Sequence, residues 1–182
     1  MTATIFKWTL EDWHKLVDAG ILADKKVELL EGNIIEMSPE GIPHRYTNQS
    51  VGKYLESLLV NRAYVSLAFP ITLDNSEPEP DIAIVRPPLS GYSNHHPYAE
   101  DIYWLIEISN RTIKKDLGHK ATVYAKNNIP EYWVINLINK KVIVHTQPNK
   151  NKYQMIEKYK SGIIKPVAFP DVEVQLNKLL LY

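Results

Sequence analysis

Residues 101–136, DIYWLIEISNRTIKKDLGHKATVYAKNNIPEYWVIN, read as strand, helix and strand. DIYWLIEIS and EYWVIN are apolar runs rich in β-branched and aromatic residues, the composition of buried strands. Between them, KKDLGHKATVYAKNN carries Leu117, Ala121, Tyr124 and Ala125 on the inner face of a helix, which Asn128 and Pro130 end. Working outward, DIAIV (81–85) is another short apolar strand, entered through the loop DNSEPEP. AYVSLAFPITL (63–73) reads as a strand pair or as one strand broken at Pro70. Val51, Tyr54, Leu55, Leu58 and Leu59 form one stripe of a helix from about His44 to Asn61, behind a loop with Pro39, Gly41 and Pro43. VELLEGNIIEM (27–37) is a hairpin turning at Glu31-Gly32. Thr9 caps a first helix that carries Trp13, Leu16 and Val17 and stops at Gly20. Downstream, a turn near Asn139-Lys140 joins EYWVIN to KVIVH; KYQMIEKY and a short last helix follow.

This order predicts an α/β (α+β) fold with a mixed central sheet flanked by helices. The 182 residues contain no repeat, low-complexity tract or linker, so residues 1–182 are expected to form a single domain. The absence of cysteine excludes disulfides, thiolate-held zinc and a cysteine nucleophile. The N-terminus lacks the apolar core of a signal peptide, and no apolar run reaches membrane-spanning length, so a cytoplasmic protein with no membrane partner is expected. The 21 basic and 21 acidic residues balance, and net charge names no partner. Residues 140–165 hold seven of the lysines, from Lys140 to Lys165, against Glu157 alone. They fit a lysine-guarded edge hairpin better than a phosphate-binding patch.

Several charged residues stand where charge is expensive. Asp81 follows Pro80 at the mouth of DIAIV, Glu107 lies inside WLIEIS, and Glu28 is flanked by apolar residues in VELLEG. A buried carboxylate needs a cation, a metal or several donors. Lys120 falls three positions after Leu117 and four before Tyr124, on or beside the inward stripe, with Asp116 at i−4 to hold it. Strand-end acids and an inward lysine make a hard-oxygen site suited to Mg²⁺ or Mn²⁺ and a phosphate. The structural alternative pairs Glu107 with Lys120, Arg62 or Arg111, leaving no chemistry.

Pro80-Asp81 followed by Glu107-Ile108-Ser109 resembles the PD-(D/E)XK nuclease superfamily, with Ser109 where the superfamily motif has its lysine. The tracts VELLEGNIIEMSP, HRYTNQSVGKYLESLL, EPDIAIV, residues 103–136 and FPDVEVQL are similar to the Uma-two family, restriction-endonuclease-like members of that superfamily. In that family the serine after the acid is normal and the following helix supplies the lysine. The resemblance implies a restriction-endonuclease-like core and a catalytic set of Asp81, Glu107 and Lys120, with Glu28 as a supporting acid. Ser109 and Asp116 stand beside them, Tyr124 is the family's helix tyrosine, and His44 opens the second helix. Asn136 departs from the aspartate usual after the YWVI tract.

The implied mechanism is metal-assisted phosphodiester hydrolysis: Asp81, Glu107 and the Ile108 carbonyl hold Mg (or Mn), and Lys120 orients water or offsets charge. Glu28 helps a second metal or accepts the water's proton. DNA is the expected partner, and one site per chain calls for a homodimer to break a duplex. The alternative function is a catalytically inactive nuclease-fold module for nucleic-acid or protein binding. Zinc held by His44, His95, His96, His119 and His145 lacks ligand spacing. A Ser109 triad lacks a GxSxG elbow, and Tyr132-Trp133 reads as core rather than a base-stacking platform.

Overall fold

The computed structural model describes residues 4–110 and 112–181; Arg111 therefore lies outside the described residues. Its centre is a six-stranded sheet of β3 (Tyr64–Leu67), β4 (Ile82–Val85), β5 (Ile102–Ser109), β6 (Glu131–Asn136), β7 (Lys141–Asn149) and β8 (Lys152–Tyr159), in that order. Only β5 and β6 run parallel; the other neighbours are antiparallel, so the sheet is mixed, as expected.

Period-two alternation sends the side chains of each central strand to two cores. On one face Ile82, Ile84, Trp104, Ile106, Ile108, Trp133 and Ile135 pack under α2 (Ile42–Leu58) and the C-terminal residues Phe169, Val172, Val174 and Leu179. On the other, Ala83, Val85, Leu105, Tyr132 and Val134 meet Ala121, Tyr124 and Ala125 of α4 (Ala121–Lys126). Tyr132 and Trp133 are fully buried, which makes them core, as their apolar strand implied. Helix α2 begins at Ile42, two residues before the expected His44, because Pro43 is preorganised for the first helical turn. The expected break falls before Pro70: β3 stops at Leu67, Ala68 takes a positive φ of 50°, and a tight Leu73–Ser76 turn follows.

The N-terminal part is tied on through polar groups. Thr9 and Asp12 form a reciprocal capping box on α1 (Leu10–Asp18). Trp13 Nε1 (3.0 Å) and His14 Nε2 (2.7 Å) meet the carboxylate of Glu77; against burial, which would raise it, His96 together with these two holds it down at about 2. Hairpin β1 (Val27–Leu30)/β2 (Asn33–Glu36) turns at Glu31 and Gly32, both at positive φ. The Glu77 N–H donates to the Leu29 carbonyl (2.8 Å), fixing the hairpin beside the approach to β4.

The helix after β5 departs from uniform α pitch. It runs as α3 (Ile113–Lys115), a π turn (Asp116–Lys120) and α4. An α helix burying Ala121 would also bury Leu117 four residues earlier. The extra residue in the π turn gives that place to Asp116, so Leu117 is 37% exposed while Asp116 is 3% exposed. The expectation of an inward Leu117 is thereby corrected. A short β9 (Ile163–Ile164)/β10 (Val174–Gln175) pair precedes the last 3₁₀ turn, Leu176–Lys178. No helix among the described residues is long and apolar enough to cross a membrane.

Glu131, at the start of β6, is a buried acid that sequence reading passed over. Its oxygens accept from Trp133 Nε1 (2.7 Å) and the Val167 N–H (2.8 Å), and burial pushes its carboxyl up to about 7. Because the folded value lies above the ordinary one, the stability it contributes is complete below about pH 4.5 and is shed as pH rises through 7. Melting temperature is therefore expected to fall between pH 5 and 8, and the Glu131→Gln protein should lose that slope, whatever its absolute stability. An unchanged slope in the variant would contradict this assignment.

Candidate functional site

Antiparallel register brings the site together. Ile82 pairs with Ile106, so Asp81, one residue earlier, comes beside Glu107 and Ile108. The Ile108 N–H donates to Asp81 Oδ2 at 2.6 Å, and His44 Nε2, from the first turn of α2, lies 3.0 Å from the same oxygen. Asp81 thus takes its place from two other elements. Its negative charge raises the His44 imidazole above its ordinary value against the opposing effect of burial, with Glu40 and Asp116 adding to the rise.

Glu107 points to the face of the sheet that carries α4, where Lys120 Nζ (2.8 Å) and the Tyr124 hydroxyl (2.9 Å) both donate to its Oε1. Burial pushes the Glu107 carboxyl well up; Asp81, Asp116 and Glu28 add to this against Lys120. Burial opposes the Lys120 charge, but Glu107 and Glu28 more than offset it and hold the ammonium protonated. Tyr124, buried beside Glu107, is likewise raised and stays a donor.

Glu28 reaches the same ammonium from hairpin β1/β2, its Oε2 3.2 Å from Lys120 Nζ. Its Oε1 lies 2.6 Å from Lys115 Nζ, an ion pair outside hydrogen-bond geometry. Burial would raise this carboxyl; Lys120 and Lys115 together hold it below its ordinary value. The Glu79 N–H adds a 3.3 Å bond to Oε2. The hairpin is clamped to the helix a second time, where Glu31 takes His119 Nε2 (3.0 Å) and Lys126.

Asp116 does not hold Lys120, as its i−4 position suggested. It accepts from the Thr112 hydroxyl at 2.6 Å, while the ion pairs of Lys120 run to Glu107 and Glu28. The π turn is the reason: it moves Lys115, five residues back, into the place one turn before Lys120. Burial raises the Asp116 carboxyl. Ser109 is fully buried, its hydroxyl 3.5 Å from that of Thr112. The residues named from sequence as part of the site therefore fall into three neighbouring contact groups: Asp81 with His44 and the Ile108 N–H, Glu107 with Lys120, Tyr124 and Glu28, and Asp116 with Thr112 and Ser109. Arg62 joins none of them; it pairs with Asp171 (2.6 Å). Asn136 caps the β6–β7 turn by accepting the Asn139 N–H (2.9 Å).

Glu28, His44, Asp81, Glu107, Ile108, Lys115, Asp116 and Lys120 line a cavity of about 60 Å³ with Met37, Ser38, Glu40, Glu79 and Thr112, while Ser109 and Tyr124 lie behind its wall. It adjoins a groove of about 570 Å³ walled by residues 38–41, Pro43, His44, Asn110 and Thr112. Glu40, Glu79, Thr112 and Lys115 were missed by sequence reading. The acids sit in Pro-flanked loops without periodicity, and Lys115 falls inward only because of the π turn. Burial also raises Glu79. The cavity thus holds Glu28, Asp81, Glu107 and Asp116 against Lys115 and Lys120, an excess of carboxylate that a hard divalent cation relieves. Among the described residues no three His, Asp or Glu side chains gather to hold a metal. Asp81 and Glu107 are the two carboxylates that could hold such an ion, a sparse set on which Mg²⁺ would keep most of its waters.

The family model described as "Putative restriction endonuclease", Uma2 (Uma-two), matches residues 10–177. Among solved structures, the fold resembles the crystal structure of a "putative nuclease belonging to DUF820" from Anabaena variabilis. The TM-score is 0.70 at 19% identity, over 85% of this chain and 89% of the other. No curated protein matches the chain.

Removing Lys120 leaves two buried carboxylates without their common cation, which costs about 3–5 kcal/mol. Chemical denaturation in EDTA should show that loss for Lys120→Met. Lys115→Met leaves Glu28 its bond to Lys120 but strips its other buried oxygen, and should lose less, about 1–2 kcal/mol. Equal, small effects from both substitutions would remove Lys120 from the centre of the network.

Proposed function

The chain belongs to the Uma2 family, and on that footing we propose that it is a metal-dependent endonuclease that hydrolyses phosphodiester bonds, with DNA as substrate. The observation that carries this reading is the meeting of Asp81 and Glu107 from neighbouring strands with Lys120 from the following helix, in a cavity richer in carboxylate than in cation.

Asp81, Glu107 and the Ile108 carbonyl are the groups to hold Mg²⁺ or Mn²⁺. When bound, the ion polarises the phosphate and lowers the pKa of a coordinated water. The chain's own residues prepare the ground. His44 and the Ile108 N–H fix the rotamer of Asp81. Lys120 and Tyr124 bind Oε1 of Glu107, which leaves Oε2 as its donor to the ion. The Lys120 charge offsets negative charge on the reacting phosphate. Glu28 has an ammonium at each oxygen, so it serves to position the lysines rather than to take a proton or a second ion. Asp116 and Ser109 support the turn that presents Lys115 and Lys120. The chain acts as one catalytic domain with a single site, so it cuts one strand, and a duplex break requires a homodimer.

Supercoiled plasmid should be nicked in Mg²⁺ or Mn²⁺ and untouched in EDTA. Asp81→Asn and Glu107→Gln should each lower the rate by about 10²-fold or more. Cleavage that survives both substitutions, or no cleavage by folded protein with either ion, would contradict the proposal. Sedimentation should show a dimer under conditions that linearise plasmid; linearisation by a monomer would rule out the two-chain requirement.

A further inference from the structure

The site is electrically divided. Asp81, Glu107 and Asp116 make one half negative. On the other side Glu28 pairs with two ammoniums, Lys115 at 2.6 Å and Lys120 at 3.2 Å, with the Glu79 carboxyl, raised by burial, beside them. The two lysines differ in freedom. The Lys120 side chain is 4% exposed and commits its charge to Glu107 and Glu28. Lys115 is 28% exposed, has Glu28 as its ion-pair partner, and lines the cavity. An ammonium has three donors, and this one contact leaves the others available.

Uniform α pitch would separate Lys115 from Lys120 by about 140° around the helix. The π turn between them closes that angle and stacks both on the side facing Glu28. Burying Asp116 in place of Leu117 is the cost of this arrangement, which a purely structural helix has no reason to bear.

We propose that Lys115 is a phosphate-binding residue: with Glu28 as its anchor it forms an anion subsite at the cavity mouth, which docks a phosphate of the nucleic-acid backbone beside the carboxylate half. This deepens the endonuclease reading and rests on it. Glu28 holds the ammonium at the rim when no ligand is present, so little side-chain freedom is lost on docking. Lys120, deeper and doubly paired, acts on the reacting centre; Lys115 acts on binding.

The test is equilibrium binding of fluorescein-labelled oligonucleotide in EDTA at several salt concentrations, with cleavage kinetics in Mg²⁺ alongside. Lys115→Ala should weaken binding about tenfold, as loss of one charge-assisted contact does. It should also lower the slope of log affinity against log salt by about 1, and raise KM more than it lowers kcat. Lys115→Arg should restore the slope, because the charge is kept. A Lys115→Ala protein that melts like wild type, with unchanged affinity and slope, would overturn the subsite while leaving the endonuclease reading intact. Wild type that neither binds nor cuts would overturn both.

Discussion

One buried ammonium organises this molecule's polar interior. Lys120 draws Glu107 from the central sheet and Glu28 from the N-terminal hairpin to the same point. Each carboxylate alone would be prohibitively placed: Glu107 is 5% exposed and Glu28 1%. With a common cation they become a junction between β5, the hairpin and the helix that crosses the sheet. Tyr124 closes Glu107 from the helix, and Glu79 closes Glu28 from the segment entering β4. Elements distant in sequence therefore meet through charge at a place where apolar packing is interrupted.

That interruption is localised at strand ends. Along β4 and β5 the side chains alternate between two apolar cores, and the acids appear where the strands reach the sheet's edge of cover. The antiparallel pairing of β4 with β5 sets Asp81 beside Glu107, and the parallel pairing of β5 with β6 requires a crossover, which is the helix bearing the lysines. The same connection that satisfies topology thus delivers the cations. A rigid sheet fixes the acids, while the hairpin and α2 contribute Glu28 and His44 from either side.

Much of this was legible in the sequence. Asp81 and Glu107 stood out as acids in apolar strands, Lys120 as a lysine on an inward stripe, and Glu28 as the milder case of the same anomaly. Strand and helix order followed from periodicity, and the Uma2 tracts agreed with it. What escaped reading was any effect of one residue's phase. The π turn cannot be seen in KKDLGHKATVYAKNN, so Leu117 was placed inward, Asp116 was paired with Lys120, and Lys115 was overlooked. Glu131 and Glu77 escaped for another reason: each begins or borders an apolar segment, where an acid looks like a cap. Their burial depends on Val167 and on Trp13, His14 and His96, contacts made across the fold that no local pattern encodes.

If the acid excess around Lys120 is a cation site and not a remnant, it binds a divalent ion whether or not substrate is present. Calorimetric titration of Mn²⁺ into wild-type protein and the Asp81→Asn variant measures this without requiring turnover. Saturable binding by wild type is expected, accompanied by a raised melting temperature, with loss of both in the variant. Folded wild-type protein that takes up no Mn²⁺ and melts unchanged in its presence would contradict a cation site there.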